Sequence, residues 1–428
     1  MKEGFEISPD MLYWSHEADA RIMKIAIFSD CFLDLTGGIV TTISAQKKEL
    51  ENRSHTVYVF SSAYPKTAEE TAKLRKENIF PVKSCRIFGR GLTPIARRPK
   101  IIEKQILKEH PEIKDFDCFY VHYEAGCSIA GLRLGQKLKI KTIQVMHGRE
   151  DIGEQNLVPR GLKTIAAMLL DWFHSWYLPH PVKIKRDNYL ASTIAAAKMW
   201  TLMVNHANFA DLVLTPSEHF KKKLLHYGVK KPFKTLPNGI LDENFNPDLK
   251  PRILKSDEEL KIIWHSRVSK EKRILPFLES LAKVNGKYRL DVYGDGNDLK
   301  NAKDFVKKYH LNVYFHGVKS ANEIYPKIAE SHLDVLASYN FDNYPMTMIE
   351  AESVGTPVLF VDPDMQEVVP KTGSYLAKGP DPESIATALN NLIKQPDKIE
   401  EMSKAMLKHR DEVRVSNIIN KLERYIKS

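Results

Sequence analysis

Cysteine is scarce: Cys31, Cys85, Cys118 and Cys127 are the only four, and none shows the paired spacing of a zinc site or a disulfide framework. Three of them sit in or beside apolar runs, so reduced core thiols of a cytosolic protein are expected, not a catalytic thiol. Long hydrophobic runs are missing too. No window reaches the roughly 18 uncharged apolar residues of a membrane-spanning helix, which excludes a helical span. Residues 1–22 carry Glu3, Glu6, Asp10, Glu17 and Asp19 and no apolar core, so neither a signal nor a transit peptide is expected. No low-complexity tract interrupts the chain.

What remains is an ordinary globular composition whose length, at ~150 residues per domain, predicts two or three domains. The net charge of +10 is uneven: residues 1–250 hold 37 basic against 28 acidic side chains, the remainder 27 against 26. The excess concentrates in residues 83–108, "KSCRIFGRGLTPIARRPKIIEKQILK", with eight basic residues and one acid among Ile, Phe and Leu. A solvated basic face is one reading. An anionic membrane surface is the sharper one, because basic side chains near anionic lipid gain about 1 kcal/mol each while apolar neighbours insert. Nucleic acid is not expected, since no aromatic platform, zinc spacing or helix-turn-helix pattern accompanies the charge.

Short β-rich runs alternate with amphipathic segments: "MKIAIFSD", "HTVYVFSS", "DCFYVH", "KTIQVMH" and "DLVLTP" read as buried parallel strands. After the turn-rich "LPNGILDENFNP" the pattern restarts with "KIIWHSRV", "YRLDVYGDG", "VYFHG", "LDVLAS" and "PVLFVD". The expected fold is α/β, two Rossmann-like doubly wound domains with a cleft between them. Expected limits are an extension over 1–22, a first domain over 23–238, a second over 239–408 and a helical end over 409–428 that crosses back. Residues 161–209 form a long insert with three of the five tryptophans, including Trp172 and Trp176. Core aromatics and an interfacial belt followed by Lys183, Lys185 and Arg186 both stay open.

Ligands of parallel sheets bind at the carboxyl ends of the strands, so those ends carry the candidates. Gly37 and Gly38 open a helix after the first strand, where bare backbone amides suit a phosphate. His122 and His147 end two neighbouring strands, and imidazole hydrogen-bonds phosphate or sugar hydroxyls near neutral pH. In the second half Arg267 and Lys272 follow a strand and offer two cations to a diphosphate leaving group, with Gly294 lining the next strand end. In "YNFDNYPMTMIEAESVGTP", Asp342 and Asn343 suit a helix cap, and the amides of Met346, Thr347 and Met348 suit an anion. Glu350 lies too deep for a cap, and unpaired in an apolar interior it would cost several kcal/mol. Facing the cleft, its two oxygens could accept both hydroxyls of a ribose.

The order Gly-Gly, "VH", "LPNG", "SRVSKEK", "YGDG" and acid-x7-Glu before "AESVGTPV" resembles the retaining glycosyltransferases of family 4, whose fold is GT-B. The resemblance implies that Glu350 binds the donor ribose, Arg267 and Lys272 hold the diphosphate, and Asp342 faces the donor hexose. It also implies His122 beside the reacting sugar and Gly37 and Gly38 against the donor. His147, Arg97 and Arg98 would lie on the acceptor side. No metal or other cofactor is implied beyond a nucleotide-sugar co-substrate such as UDP-hexose. Asp342 stands where the family has Glu, and Ser266 where it has Gly. The histidine strand ends, the "PIARRPK" stretch and the long insert look most like membrane-associated synthases that glucosylate diacylglycerol. The implied partners are therefore a nucleotide sugar, a lipid or glycan acceptor and an anionic membrane, at the inner face of the cell membrane. A sugar-nucleotide epimerase of the same fold and a non-catalytic nucleotide-sugar or lipid-binding module are the alternatives.

Overall fold

The computed structural model describes residues 21–31, 37–62, 67–85, 95–96, 98–149, 151, 158 and 160–428. Arg97 and most of the 1–22 extension lie outside them, as does much of the basic stretch, whose Arg98 is exposed at the start of the helix Pro99–Glu109.

The first half contains β1 (Lys24–Ser29), β2 (Thr56–Ser62), β3 (Ile79–Val82), the short pair β4 (Ser84–Cys85) and β5 (Ile95–Ala96), then β6 (Cys118–His122), β7 (Lys141–Val145), β8 (Leu212–Thr215) and β9 (Phe233–Thr235). All but β4 and β5 form one parallel sheet in the order β3-β2-β1-β6-β7-β8-β9. Both faces are covered, which is why β1 is buried from Ile25 through Ser29 and reads as a continuous apolar run, not an alternation. Ile25 and Ile27 pack into one core, Ala26 and Phe28 into the other.

The second half repeats the topology with β10 (Leu260–His265), β11 (Tyr288–Tyr293), β12 (Val313–Gly317), β13 (Leu333–Leu336), β14 (Val358–Phe360) and β15 (Ser374–Leu376), ordered β12-β11-β10-β13-β14-β15. In each sheet the order reverses beside the first strand, which makes a crevice at the carboxyl ends. Those crevices hold the candidate residues.

The helix Val415–Lys427 leaves the second sheet and packs on the first. Its Val415, Ile418, Ile419, Leu422 and Ile426 complete the core that contains Ile25, Ile27 and Val57. Arg53 donates to the Ser416 carbonyl at 2.7 Å, and Glu423 pairs with both Arg53 and His55. Among the described residues no helix is long and apolar enough to cross a membrane.

Candidate active site

In the first domain, β6 delivers His122 and β7 runs into His147. Their rings stack with centroids 5.0 Å apart, and His122 Nδ1 lies 2.7 Å from His147 Nε2. The other nitrogen of His122, Nε2, is buried without a partner. Burial, then the neighbouring His147, pushes the His122 imidazole well below its ordinary range, and burial lowers His147 to about 4. Both rings are neutral near pH 7, so one hydrogen bond joins them and His122 keeps one nitrogen for a ligand. Its carbonyl accepts from the Ser128 hydroxyl at 2.7 Å, and Ser128 is held in turn by the Asp30 carboxylate. That carboxylate accepts from the amides of Ala125, Cys127 and Ser128 at 3.2, 2.7 and 3.2 Å and starts the helix Gly126–Leu138. Tyr123, immediately after His122, sits at φ 83°, strain that persists only where surrounding contacts enforce it.

In the second domain, Asp342 does not cap the helix Met346–Ser353: Pro345 occupies the cap position and no side chain bonds there. The carboxylate is drawn instead to Lys272, whose Nζ is 2.7 Å from Oδ1, while Ser338 donates to Oδ2. Both side chains of the ion pair are nearly buried, at 11% and 12% exposure. Arg267 is 65% exposed and held only loosely by Glu271 at 3.5 Å, so it stays available. The Met348 amide is taken by the Pro345 carbonyl at 3.2 Å, which leaves the amides of Met346 and Thr347 at the helix's positive end. The Thr347 hydroxyl is buried without a partner.

Glu350 has the partner its position demands. His265, at the end of β10, reaches Glu350 Oε2 with Nδ1 at 3.3 Å and Asp334 Oδ2 with Nε2 at 3.2 Å. Burial pulls that imidazole's pKa down, but the charges and hydrogen bonds of Asp334 and Glu350 outweigh it and hold it at about 10. His265 is therefore a cation at neutral pH, clamped between two carboxylates. Glu350 remains 17% exposed, enough to offer an edge to a ligand. Beyond β11, Gly294 has φ 147°, and any Cβ there would lie 2.1 Å from the Ser266 carbonyl oxygen. Only glycine lets the strand end pass the Ser266–Arg267 loop this closely.

The two halves meet at these residues. Asn343 donates to the His147 carbonyl at 3.0 Å, and Arg149, bound to Asp151 through two nitrogens, donates to the Asn340 carbonyl at 3.3 Å. A Cβ on Gly38 would sit 3.3 Å from Met346 Cγ, so the Gly-Gly helix start lies against the start of the Met346 helix. Contacts thus run from His122 through His147 to Asn343 and the segment carrying Asp342 and Glu350. Arg98 has no described bond to this cluster, and Arg97 is outside the described residues. The residues not picked out in the sequence are Arg149, Asp30, Ser338, Asp334 and His265. The last two carried a signal, an acid inside the apolar "LDVLAS" and a strand-end histidine in "KIIWHSRV".

The buried histidines set a pH dependence of stability. An imidazole with a folded pKa below its unfolded value of about 6.5 takes up a proton when the chain unfolds in acid. The stability contributed by His122 and His147 is thus intact above about pH 6.5 and drains as pH falls toward 4, at about 1.4 kcal/mol per pH unit for each fully buried ring. His265 has the opposite sign: its contribution is full below about 6.5 and is lost as pH rises toward 10. Thermal melting followed from pH 7 to 4.5 should show a falling Tm, with a shallower fall in His122→Asn; an unchanged slope would contradict the buried neutral pair.

Two family models match this chain. The model described as Glycosyltransferase Family 4 matches residues 36–243, and the one described as Glycosyl transferases group 1 matches residues 246–409. Together with two parallel sheets of Rossmann topology that meet through Asn343 and Arg149, they make the chain a glycosyltransferase of the GT-B class. Within that class it resembles the diacylglycerol glucosyltransferases. It is 24% identical over 355 residues to the alpha-monoglucosyldiacylglycerol synthase of Streptococcus pneumoniae, covering 79% of this chain and 70% of the relative. It is 22% identical over 351 residues to the synthase of the same name from Acholeplasma laidlawii, covering 79% and 80%. Among solved structures, HepE of Anabaena in complex with UDP superposes with a TM-score of 0.67 at 16% identity, over 95% of this chain and all of that one, a likeness of fold.

Proposed function

We propose that the protein transfers a hexose, glucose by its relatives, from a uridine diphosphate donor to a hydroxyl of diacylglycerol or a glycolipid at a membrane surface, with retention of configuration. The observation that carries this reading is the run of contacts joining the His122–His147 pair, across Asn343, to the Lys272–Asp342 pair and the Glu350 helix. Glu350 takes the ribose hydroxyls, its carboxylate oriented by His265. Lys272 and Arg267 meet the charge that develops on the departing diphosphate, assisted by the amides of Met346 and Thr347, so no metal is called for.

When a donor arrives, Lys272 turns part of its charge from Asp342 to the phosphate. Asp342 is then released toward a hydroxyl of the hexose. The acceptor hydroxyl attacks the anomeric carbon from the side on which the diphosphate leaves. The bond from that carbon to the β-phosphate oxygen breaks, and the acceptor's proton passes to the departing oxygen. His122 Nε2 contacts the reacting sugar as a neutral hydrogen-bonding group. The relatives' action on diacylglycerol and the basic excess of residues 83–108 support the lipid acceptor and the membrane surface.

Incubation with UDP-glucose and diacylglycerol in mixed micelles should give an α-linked glycolipid. Arg267→Ala should reduce kcat/KM by about tenfold to a hundredfold with little loss of stability, since this side chain is exposed. Chelation of divalent cations should leave the rate unchanged. A free epimerised sugar or nucleotide sugar as the sole product, or donor binding without turnover across lipid and glycan acceptors, would overturn the assignment.

A further inference from the structure

The helix Lys163–Ser175 is built inside out. The stripe it buries, at i, i+4 and i+7, is Ala167, Asp171 and His174. The side chains it and its flanks expose include Leu162, Ile165, Leu169, Trp172 and Trp176, the last three at 56%, 54% and 55%. A surface helix of a water-soluble domain normally turns its apolar stripe to the core.

The rotation is locked from below. Asp171 pairs with Lys198 at 2.9 Å and His180 at 3.0 Å. His174 bonds His180 at 2.6 Å and His206 at 2.9 Å, and His206 reaches Gln144 Oε1, on β7, at 3.0 Å. Turning the helix to hide its leucines and tryptophans would break the bonds made by Asp171 and His174 and leave His206, itself fully buried, without its partner on the helix. The network therefore holds the apolar side outward, one strand away from His122. Trp172 and Trp176 stack edge to face at 4.2 Å, forming a rigid aromatic tip.

We propose that the Leu162–Trp176 side of this helix inserts into the headgroup–acyl boundary of an anionic bilayer. The inference rests on the lipid-acceptor function above and adds to it the surface that enters the membrane. The charge on the segment favours lipid over a second copy of the chain. Between residues 161 and 198 the acids are Asp171 and Asp187, and both are consumed internally, Asp187 by the Tyr227 hydroxyl at 2.8 Å and the amides of Tyr189 and Ala191. Lys183, Lys185 and Arg186 are exposed along the return from the helix. In a twofold self-contact these like charges would be brought together, whereas anionic headgroups complement them. Leu and Trp on one side with Lys and Arg around it is the composition of an interfacial helix, with tryptophan at headgroup depth.

The test uses the full chain with vesicles of phosphatidylcholine alone and of phosphatidylcholine with phosphatidylglycerol. Co-sedimentation with the anionic vesicles and a blue shift of tryptophan emission are expected. The triple variant Leu169→Ser/Trp172→Ser/Trp176→Ser should lose binding at least about tenfold. It should keep its melting temperature and its turnover of donor onto a water-soluble glycerol acceptor. Leu225→Ser, exposed elsewhere, should bind as the parent does. Equal binding by triple variant and parent, no preference for anionic vesicles, or a parent dimer that the triple variant dissolves in sedimentation would each overturn the insertion. Binding that depends on this face, together with no sugar transfer to any lipid, would support the insertion while refuting the lipid-acceptor function.

Discussion

Replacing Lys272 by alanine is expected to lower kcat/KM by about 10²- to 10³-fold, the cost of removing one preorganised donor from a site where negative charge develops. The same substitution strands Asp342, whose side chain is only 12% exposed and whose other oxygen already accepts from Ser338. Breaking one side of a nearly buried pair costs about 3 kcal/mol or more, so the melting temperature should also fall. The two effects separate in a double variant. Lys272→Met with Asp342→Asn removes both charges and should recover most of the stability while activity stays at the level of the single variant. If it recovered activity as well, Lys272 would be a structural cation and the diphosphate assignment would fail.

Glu350→Ala should be as damaging to turnover, with a different signature. Hydrogen bonds to a charged group are worth about 1.5–3 kcal/mol each, so loss of two ribose contacts predicts a fall in kcat/KM on the order of 10² to 10⁴. Because the proposed contacts are to the nucleotide and not to the reacting carbon, much of the loss should appear in the KM for the donor. His265 acts only through Glu350 and is a positioning residue. His265→Gln keeps a hydrogen-bonding group but not the charge, and it leaves Asp334, 1% exposed, as an uncompensated carboxylate. It should raise the donor KM by about tenfold and lower stability by about 3 kcal/mol. The added Asp334→Asn should restore stability and leave the KM raised. Unchanged donor KM in both variants would show that the Glu350 orientation does not depend on this clamp.

The doubly wound fold was legible because each central strand, buried on both faces, writes itself as an uninterrupted apolar run. Among the strands of the two large sheets, those that escaped sequence reading, Ile79–Val82, Phe233–Thr235 and Ser374–Leu376, are edge strands of only three or four residues. His122, His147 and the deep Glu350 stood out because a polar group in an apolar context needs a partner, whereas the strand-end His265 was passed over. The partners did not, since Lys272 and Asp342 are 70 residues apart and only the packing of two crossovers joins them. That pairing also explains why Asp342, an acid well suited by sequence to cap a helix, leaves the cap to Pro345: a nearby buried cation outcompetes backbone amides. Trp172 and Trp176 show the reverse limit, because helical spacing reveals an apolar side without saying whether protein or lipid will cover it.

The C-terminal helix that closes the first core imposes an order on biosynthesis. The first sheet is complete in sequence by Thr235, yet the face carrying Ile25, Ile27 and Val57, covered in part by Ile43 and Leu50, is closed only when Val415–Lys427 have left the ribosome. Through the whole synthesis of the second domain the nascent first domain lacks the side chains of Val415, Ile418, Ile419, Leu422 and Ile426 that complete its core. The two domains are translated in series and finished together.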